Sequence, residues 1–211
     1  MRKTRLETAE TRAKIVEAAQ KEFRRQGLAG SGLTGLMAGA GLTQGGFYKH
    51  FPSKASLIEE STLASVNDLI DMLDQLPSHA GKPGGIEATI LKYLHTDHRD
   101  SDTGCPYAAM GSELARQDEQ IRGSAVLGFE RVIDLLSTQI GETLKEAPRE
   151  RALLMLCAMI GALTVSRMAI GGDLSEEVLD VTRRQLLELI EPGEAIMSAK
   201  LRSNSDVAEL G

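Results

Sequence analysis

Tryptophan is absent from these 211 residues, and aromatic side chains make up only 3% of them. A core cannot then rest on large rings. It must be built from aliphatic residues, Ala and Met, a mixture that favours helices over strands. Cysteine is scarce: Cys105 and Cys157 are the two present, too few for a disulfide framework and in no zinc-type spacing. The basic opening (Arg2, Lys3, Arg5) is not followed by an apolar run, so no signal peptide is expected. The most apolar stretch, 152–166, is too short to span a bilayer and ends at Arg167. A cytoplasmic protein with no membrane partner is therefore expected. Also missing are a Ser/His/Asp ordering, a Gly-rich phosphate loop, an H-E-x-x-H pair and carboxylates paired at a fixed spacing. No catalytic site, cofactor or resident metal is expected.

What is present is unevenly charged. Overall, 24 basic residues meet 30 acidic ones, for a net charge of −6. Up to residue 56, however, ten Lys/Arg face four acids, which leaves 14 basic and 26 acidic residues beyond. A basic head on an acidic body is the distribution expected when one end meets a polyanion.

Hydrophobic periodicity predicts an all-α chain of about nine helices. The first runs over 8–26, with Ile15, Val16, Ala19 and Phe23 on one face, a Glu17–Lys21 pair on another and Gly27 as its stop. Short helices follow at 33–40 and 44–50, joined through Gly41, with Thr43 placed to cap the second. Ser53 caps a longer helix starting at Lys54 and ending before Pro77. After a Pro/Gly loop, helical pattern resumes over 86–94 and stops in the polar run 95–104. Pro106 opens a helix to about 116. A long helix covers 119–145, and a very apolar one follows Pro148 to 170. Gly171-Gly172 precedes a last helix, where Asp173 and Glu176 suggest a capping box. The expected organisation is a three-helix helix-turn-helix domain over 1–55, a larger helical domain over 56–191 and an unstructured tail over 192–211.

Two short helices after a basic amphipathic one outline a helix-turn-helix unit. Leu33, Leu36, Met37, Ala40, Leu42, Phe47 and Phe51 supply its small core. Left exposed are Thr34, Thr43, Gln44, Gly45, Gly46, Tyr48, Lys49, His50 and Lys54. Hydroxyls and ammonium groups can reach phosphates, and an amide can read a base edge. Paired glycines in one short helix cost about 2 kcal/mol relative to alanine, but they let the backbone approach a groove.

The run from Gly41 through Leu42, Thr43, Gln44, Gly45, Gly46, Phe47, Tyr48, Lys49, His50, Phe51, Pro52 and Ser53 to Lys54 resembles the signature of the TetR/AcrR family of transcriptional regulators. Ile15, Ala18, Ala19, Phe23 and Gly27 match its preceding helix. The resemblance implies a recognition helix beginning at Thr43, with Thr43 and Gln44 facing double-stranded operator DNA. Tyr48 and Lys54 would meet phosphates, and Thr34 would contact DNA from the helix before. Where many relatives carry a long polar residue at 34 or 35, this chain has Thr34 and Gly35. Arg2, Lys3 and Arg5 read equally as a DNA-contacting arm and as a solvated tail.

The same resemblance implies a homodimer through the last two long helices and a small-molecule effector bound among the middle ones. Independently, Leu153, Leu154, Leu156, Met159, Ile160 and Leu163 leave the apolar helix little polar face, which a dimer or an internal core would cover. Candidate pocket residues are Tyr93, Cys105, Met110, Leu114, Phe129, Met155, Met159 and Met168, since Met and aromatic side chains adapt to apolar ligands. A repressor released from a palindromic operator by the effector follows from family habit, with an activator of the same fold as the alternative. A second alternative is a thiol-based redox or electrophile sensor. Cys105 stands at a helix N-terminus that favours thiolate, while Asp100 and Asp102 oppose it. Cys157 reads as inert core. His95, Asp97, His98, Asp100 and Asp102 have the letters of a metal site and equally those of a charged helix end. A helical interaction module with an acidic partner is the remaining reading of the basic head.

Overall fold

The computed structural model describes residues 5–76, 85–143 and 147–190, and every described element is helical. The expected tail over 192–211, the Pro/Gly loop over 77–84 and the arm residues Arg2 and Lys3 lie outside the described residues.

Helix α1 (Arg5–Gly30) buries Ile15, Val16, Ala19 and Phe23 as its spacing predicts. Gly27 does not stop it. With φ 76° and ψ 168°, it kinks the chain, and one further turn follows. Helix α2 (Leu33–Gly39) leads through Gly41 (φ 71°) into a 3-10 segment, Gln44–Lys49, where a short helix over 44–50 is expected. Thr43 stands at its N-cap without a side-chain capping bond. Ser53 caps α3 (Lys54–Asp74) as expected: the Ser56 N–H donates to its Oγ at 3.1 Å, and Ser56 Oγ accepts from the Ser53 N–H in return.

The body follows with α4 (Ile86–Tyr93), α5 (Thr96–Asp100), α6 (Pro106–Leu114), α7 (Glu119–Thr143), α8 (Pro148–Met168) and α9 (Leu174–Ile190). Helix α5 falls where the sequence reads as loop. Its polar residues hid one turn, in which the His98 ring turns inward onto Tyr93, with ring centroids 4.7 Å apart. Helix α8 packs between α7 and α9 and sends Met155, Leu156, Met159 and Leu163 into the core. The run 152–166 is only part of this 21-residue helix, which is long and apolar enough for a membrane by length and composition alone. Its place between two body helices is that of a core helix.

Two apolar cores result. One lies among α3, α4, α7, α8 and α9; the other gathers α1, α2, Phe47, Phe51, Leu57 and Ile58. The second core does not close on itself. Met110 and Leu114 of α6, with Ile121 and Ala125 of α7, complete it. The head is thus packed directly onto two body helices.

Candidate nucleic-acid interface and effector site

Around the 3-10 segment, Phe47 and Phe51 point inward and stack at 5.7 Å, which leaves their neighbours outside. Thr34, Thr43, Gln44, Gly45, Tyr48 and Lys49 are exposed, while Gly46 and His50 are half-buried. Tyr48, 69% exposed, sets its ring edge against Phe47 and leaves the hydroxyl to solvent. Thr34 Oγ1 donates to Gln44 Oε1 at 2.9 Å, so two of the predicted contacts hold each other. A Cβ added at Gly45 would meet nothing within 4 Å. A groove of about 550 Å³ beside the segment is lined by Thr43, Gly46, Lys49 and His50, together with Thr8 and Thr11 of α1. Sequence reasoning missed those two threonines, which lie outside the signature.

The basic count of the head overstates what this surface offers. Arg12 lies over the Phe51 ring at 4.0 Å and bonds the His50 carbonyl and the Glu60 carboxylate, clamping α1 to α3. Lys21 pairs with Glu17, and Arg25 with Glu22. Lys54 is not turned outward as expected. Its Nζ donates to the Leu28 carbonyl at 2.6 Å and lies 5.9 Å from the Phe23 ring centroid, and burial pushes its pKa down. One residue on, the Ala29 N–H donates to Glu113 Oε2 of α6 at 3.0 Å. Two consecutive residues beyond the Gly27 kink are therefore held by side chains from opposite sides, Lys54 from the head and Glu113 from the body.

The candidate effector residues do not come together. Tyr93, Cys105, Met155 and Met159 belong to the body core, and Met110 to the head core. Met168 is 82% exposed. Only Leu114 and Phe129 line the pocket between α6 and α7, a space of about 370 Å³ that also takes Tyr107, Gly111, Ala115, Arg122, Ala125 and Val126. Tyr107 meets Phe129 edge-on at 5.2 Å and donates its hydroxyl to the Ala125 carbonyl at 2.9 Å. The wall is apolar apart from Arg122 at the rim. The α7 spacing of Arg122, Ala125, Val126 and Phe129 was the available signal for it. Helical pattern marks an apolar stripe without telling core from cavity lining, and that is why the methionine candidates fall outside this pocket.

Cys105 is fully buried, and desolvation raises its thiol pKa. A thiolate at the helix N-terminus was one alternative, opposed by Asp100 and Asp102; burial weighs against it too. Cys157, expected in the core, is exposed on α8. The metal-like residues diverge: His95 bonds Asp97, Arg99 holds Asp100, and His98 faces inward. Among the described residues, no His/Cys/Asp/Glu group is arranged for a metal.

Burial holds the His98 pKa near 4, against 6.5 for a free imidazole, although its Nδ1 bonds the Tyr93 carbonyl at 2.7 Å. The unfolded chain therefore binds this proton at a higher pH than the folded one. Stability is full above about pH 6.5 and is lost as the pH falls toward 4, by about 3 kcal/mol in all. Urea midpoints at pH 7, 5 and 4 should show this loss, and His98→Gln should flatten it. A wild-type slope that the substitution leaves unchanged would assign the effect to other groups.

A head of one long helix and two short helical segments with an outward polar set, joined to a helical body that holds an apolar pocket, defines a DNA-binding helix-turn-helix regulator of transcription. The profile described as "Bacterial regulatory proteins, tetR family" matches residues 15–61. The chain is similar to the transcriptional regulator TtgR of Pseudomonas putida, 27% identical over 77% of this chain and 82% of that one. It is similar also to the transcriptional repressor BepR of Brucella suis, 26% identical over 76% and 82%. In fold it matches a TetR-family regulator from Cytophaga hutchinsonii, with a TM-score of 0.71 at 20% identity over 92% of this chain and 100% of that one. The chain is a transcriptional regulator of the TetR/AcrR family, and its relatives are regulators, not enzymes.

Proposed function

We propose that the protein is a homodimeric, cytoplasmic repressor that leaves a palindromic operator when a small apolar effector enters the α6–α7 pocket. The observation that carries this reading is the double clasp on the kink of α1. Glu113 stands directly before Leu114 of the pocket wall in α6, so a ligand that displaces α6 pulls on Ala29. Leu28, next in the chain, is tied to Lys54 at the start of α3. The pocket and the DNA-facing head are joined by a few bonds.

In this reading Thr34, Thr43, Gln44, Tyr48, Lys49 and His50 face the duplex, and Gly45 and Gly46 let the backbone approach it. Residues 1–55 form most of the DNA-binding head, and 56–191 the effector-binding and dimerisation body. Lys54 serves as a clasp in the free state.

Exposed apolar side chains support the dimer. Leu153, Leu154 and Val165 of α8, with Val181 and Leu189 of α9, are between 39% and 59% exposed. A second copy would cover them and set two recognition segments about 34 Å apart, the repeat of the major groove. The repressor BepR supports repression over activation by likeness. A buried Cys105 thiol gives the sensor alternative no support.

Selection of bound duplexes from random fragments should return a palindrome whose affinity falls steeply with salt. Uniform weak binding to all duplexes, as an interaction module would give, defeats the proposal. For the clasp, Glu113→Ala is expected to leave operator affinity within about three-fold while an effector found by screening no longer releases the DNA. If release is unchanged, coupling runs elsewhere. Phe129→Ala should weaken that effector about ten-fold or more through lost pocket surface.

A further inference from the structure

A second concavity, of about 480 Å³, lies where α1 meets the body and shares no wall residue with the α6–α7 pocket. Four guanidinium groups border it: Arg24, Arg25, Arg99 and Arg167. Two are neutralised. Arg25 pairs with Glu22 at 2.8 Å, and Arg99 grips Asp100 through two bonds of 2.6 and 2.7 Å.

The other two differ. Among the described residues, neither Arg24 nor Arg167 makes an ion pair within 4.0 Å. Arg24 Nη1 donates to the carbonyls of Gln20 and Asp102, at 3.3 and 3.1 Å, and Arg167 Nε donates to the Arg99 carbonyl at 2.9 Å. Arg24 Nε and Nη2 are buried with no partner at all, and His98 Nε2 is buried without one as well. Donors of a permanent cation left unsatisfied are costly, and fixed cations without counter-charge add to that cost.

The acids in reach do not resolve this. Asp68 of α3 and Asp102 attract Arg24 from a distance, while Arg167 repels it. Asp68 is engaged by Gln20 at 2.7 Å, and Asp102 is exposed. Backbone geometry holds Arg167 in place. A Cβ at Gly104 would stand 2.8 Å from Arg167 Nη2 and 2.7 Å from the His98 carbonyl oxygen, so only glycine lets the guanidinium lie on that turn. Ala108, Ala109, Met168 and Ile170 give the wall an apolar part, beside the polar Ser101, Asp102 and Thr164.

We propose that this groove is a second ligand site, which takes a small molecule whose carboxylate or phosphate is gripped between Arg24 and Arg167 while a short apolar portion rests on Met168 and Ile170. Arg forks suit both oxyanions. Because Arg24 belongs to α1 and Arg167 to α8, the bound anion ties the head to the body independently of the α6–α7 pocket.

The test uses the whole protein without DNA, since added anions weaken any DNA complex through screening alone. Inorganic phosphate and hexanoate are titrated calorimetrically at constant ionic strength, with chloride as the reference. Saturable binding of one or both is expected. Phosphate alone would show that the oxyanion head suffices, and hexanoate alone that the apolar wall contributes. Binding should weaken about ten-fold or more in Arg24→Gln and in Arg167→Lys, which keeps the charge and loses the fork. Phe129→Ala should bind as wild type does. If Arg24→Gln does not fold, as judged by its melting curve, Arg167→Lys decides. Heats no different from chloride for both anions, or binding unchanged in a folded variant, overturn the proposal.

Discussion

Exchanging Gly27 for alanine is expected to lower the melting temperature by about 6–12 °C. Two causes act together. At φ 76° and ψ 168°, the residue occupies a backbone region that is essentially glycine's alone, and holding a side-chain residue there costs of order 1–3 kcal/mol. The new Cβ would also stand 2.4 Å from Glu113 Oε1. Glu113 must move, and its bond to the Ala29 N–H goes with it. A combined loss of about 3 kcal/mol converts to that shift at the 2–4 °C per kcal/mol usual for a chain of this size. Scanning calorimetry of Gly27→Ala, Glu113→Ala and the double variant separates the two causes. The double variant should recover the steric part and keep the backbone part. A Gly27→Ala protein that melts with wild type would mean that the kink does not exist in solution.

The second large effect is on DNA. Tyr48→Phe keeps the ring edge against Phe47 and removes only the hydroxyl, so stability should stay within about 0.5 kcal/mol of wild type. A hydroxyl bonded to a phosphate contributes about 1.5–3 kcal/mol. A dimer on a palindrome loses the bond twice, so operator affinity should fall roughly 10²- to 10⁴-fold, read by fluorescence anisotropy at one fixed salt concentration. Gly45→Ala provides a contrast in sign. Its Cβ enters open space, so the protein should be as stable as wild type or more so, by up to about 1 kcal/mol. Affinity should nonetheless drop, because the added methyl stands where the duplex must approach. If Tyr48→Phe binds the selected operator as tightly as wild type does, the 3-10 segment is not the reading surface.

The signature was legible because it is local. Phe47 and Phe51 turn inward and Tyr48 outward for reasons of spacing within a few residues, and Ser53 caps α3 with an oxygen three residues from its donor. The α6–α7 pocket was not legible. Leu114 and Phe129 line it, but Tyr93, Cys105, Met155 and Met159 are as apolar in the sequence and lie in solid core. Whether an apolar stripe meets side chains or empty space depends on the opposing helix, which no local pattern encodes. Cys157 misled for the same reason: an apolar helix reads as buried on every side, and this one is left bare along part of its length.

Helix order apart from α5, the helix-turn-helix head and its outward polar set apart from Lys54 follow from the sequence alone, since capping, glycine placement and 3.6-residue spacing act over a turn or two. Tertiary structure alone decided that Lys54 and Glu113 clasp neighbouring residues of α1, that the head core is completed by α6 and α7, and that Arg24 faces Arg167 without a counter-charge. These pairings join residues 26 to more than 140 positions apart. Their formation depends on how whole helices pack, a balance of many small terms that is not written at any one position.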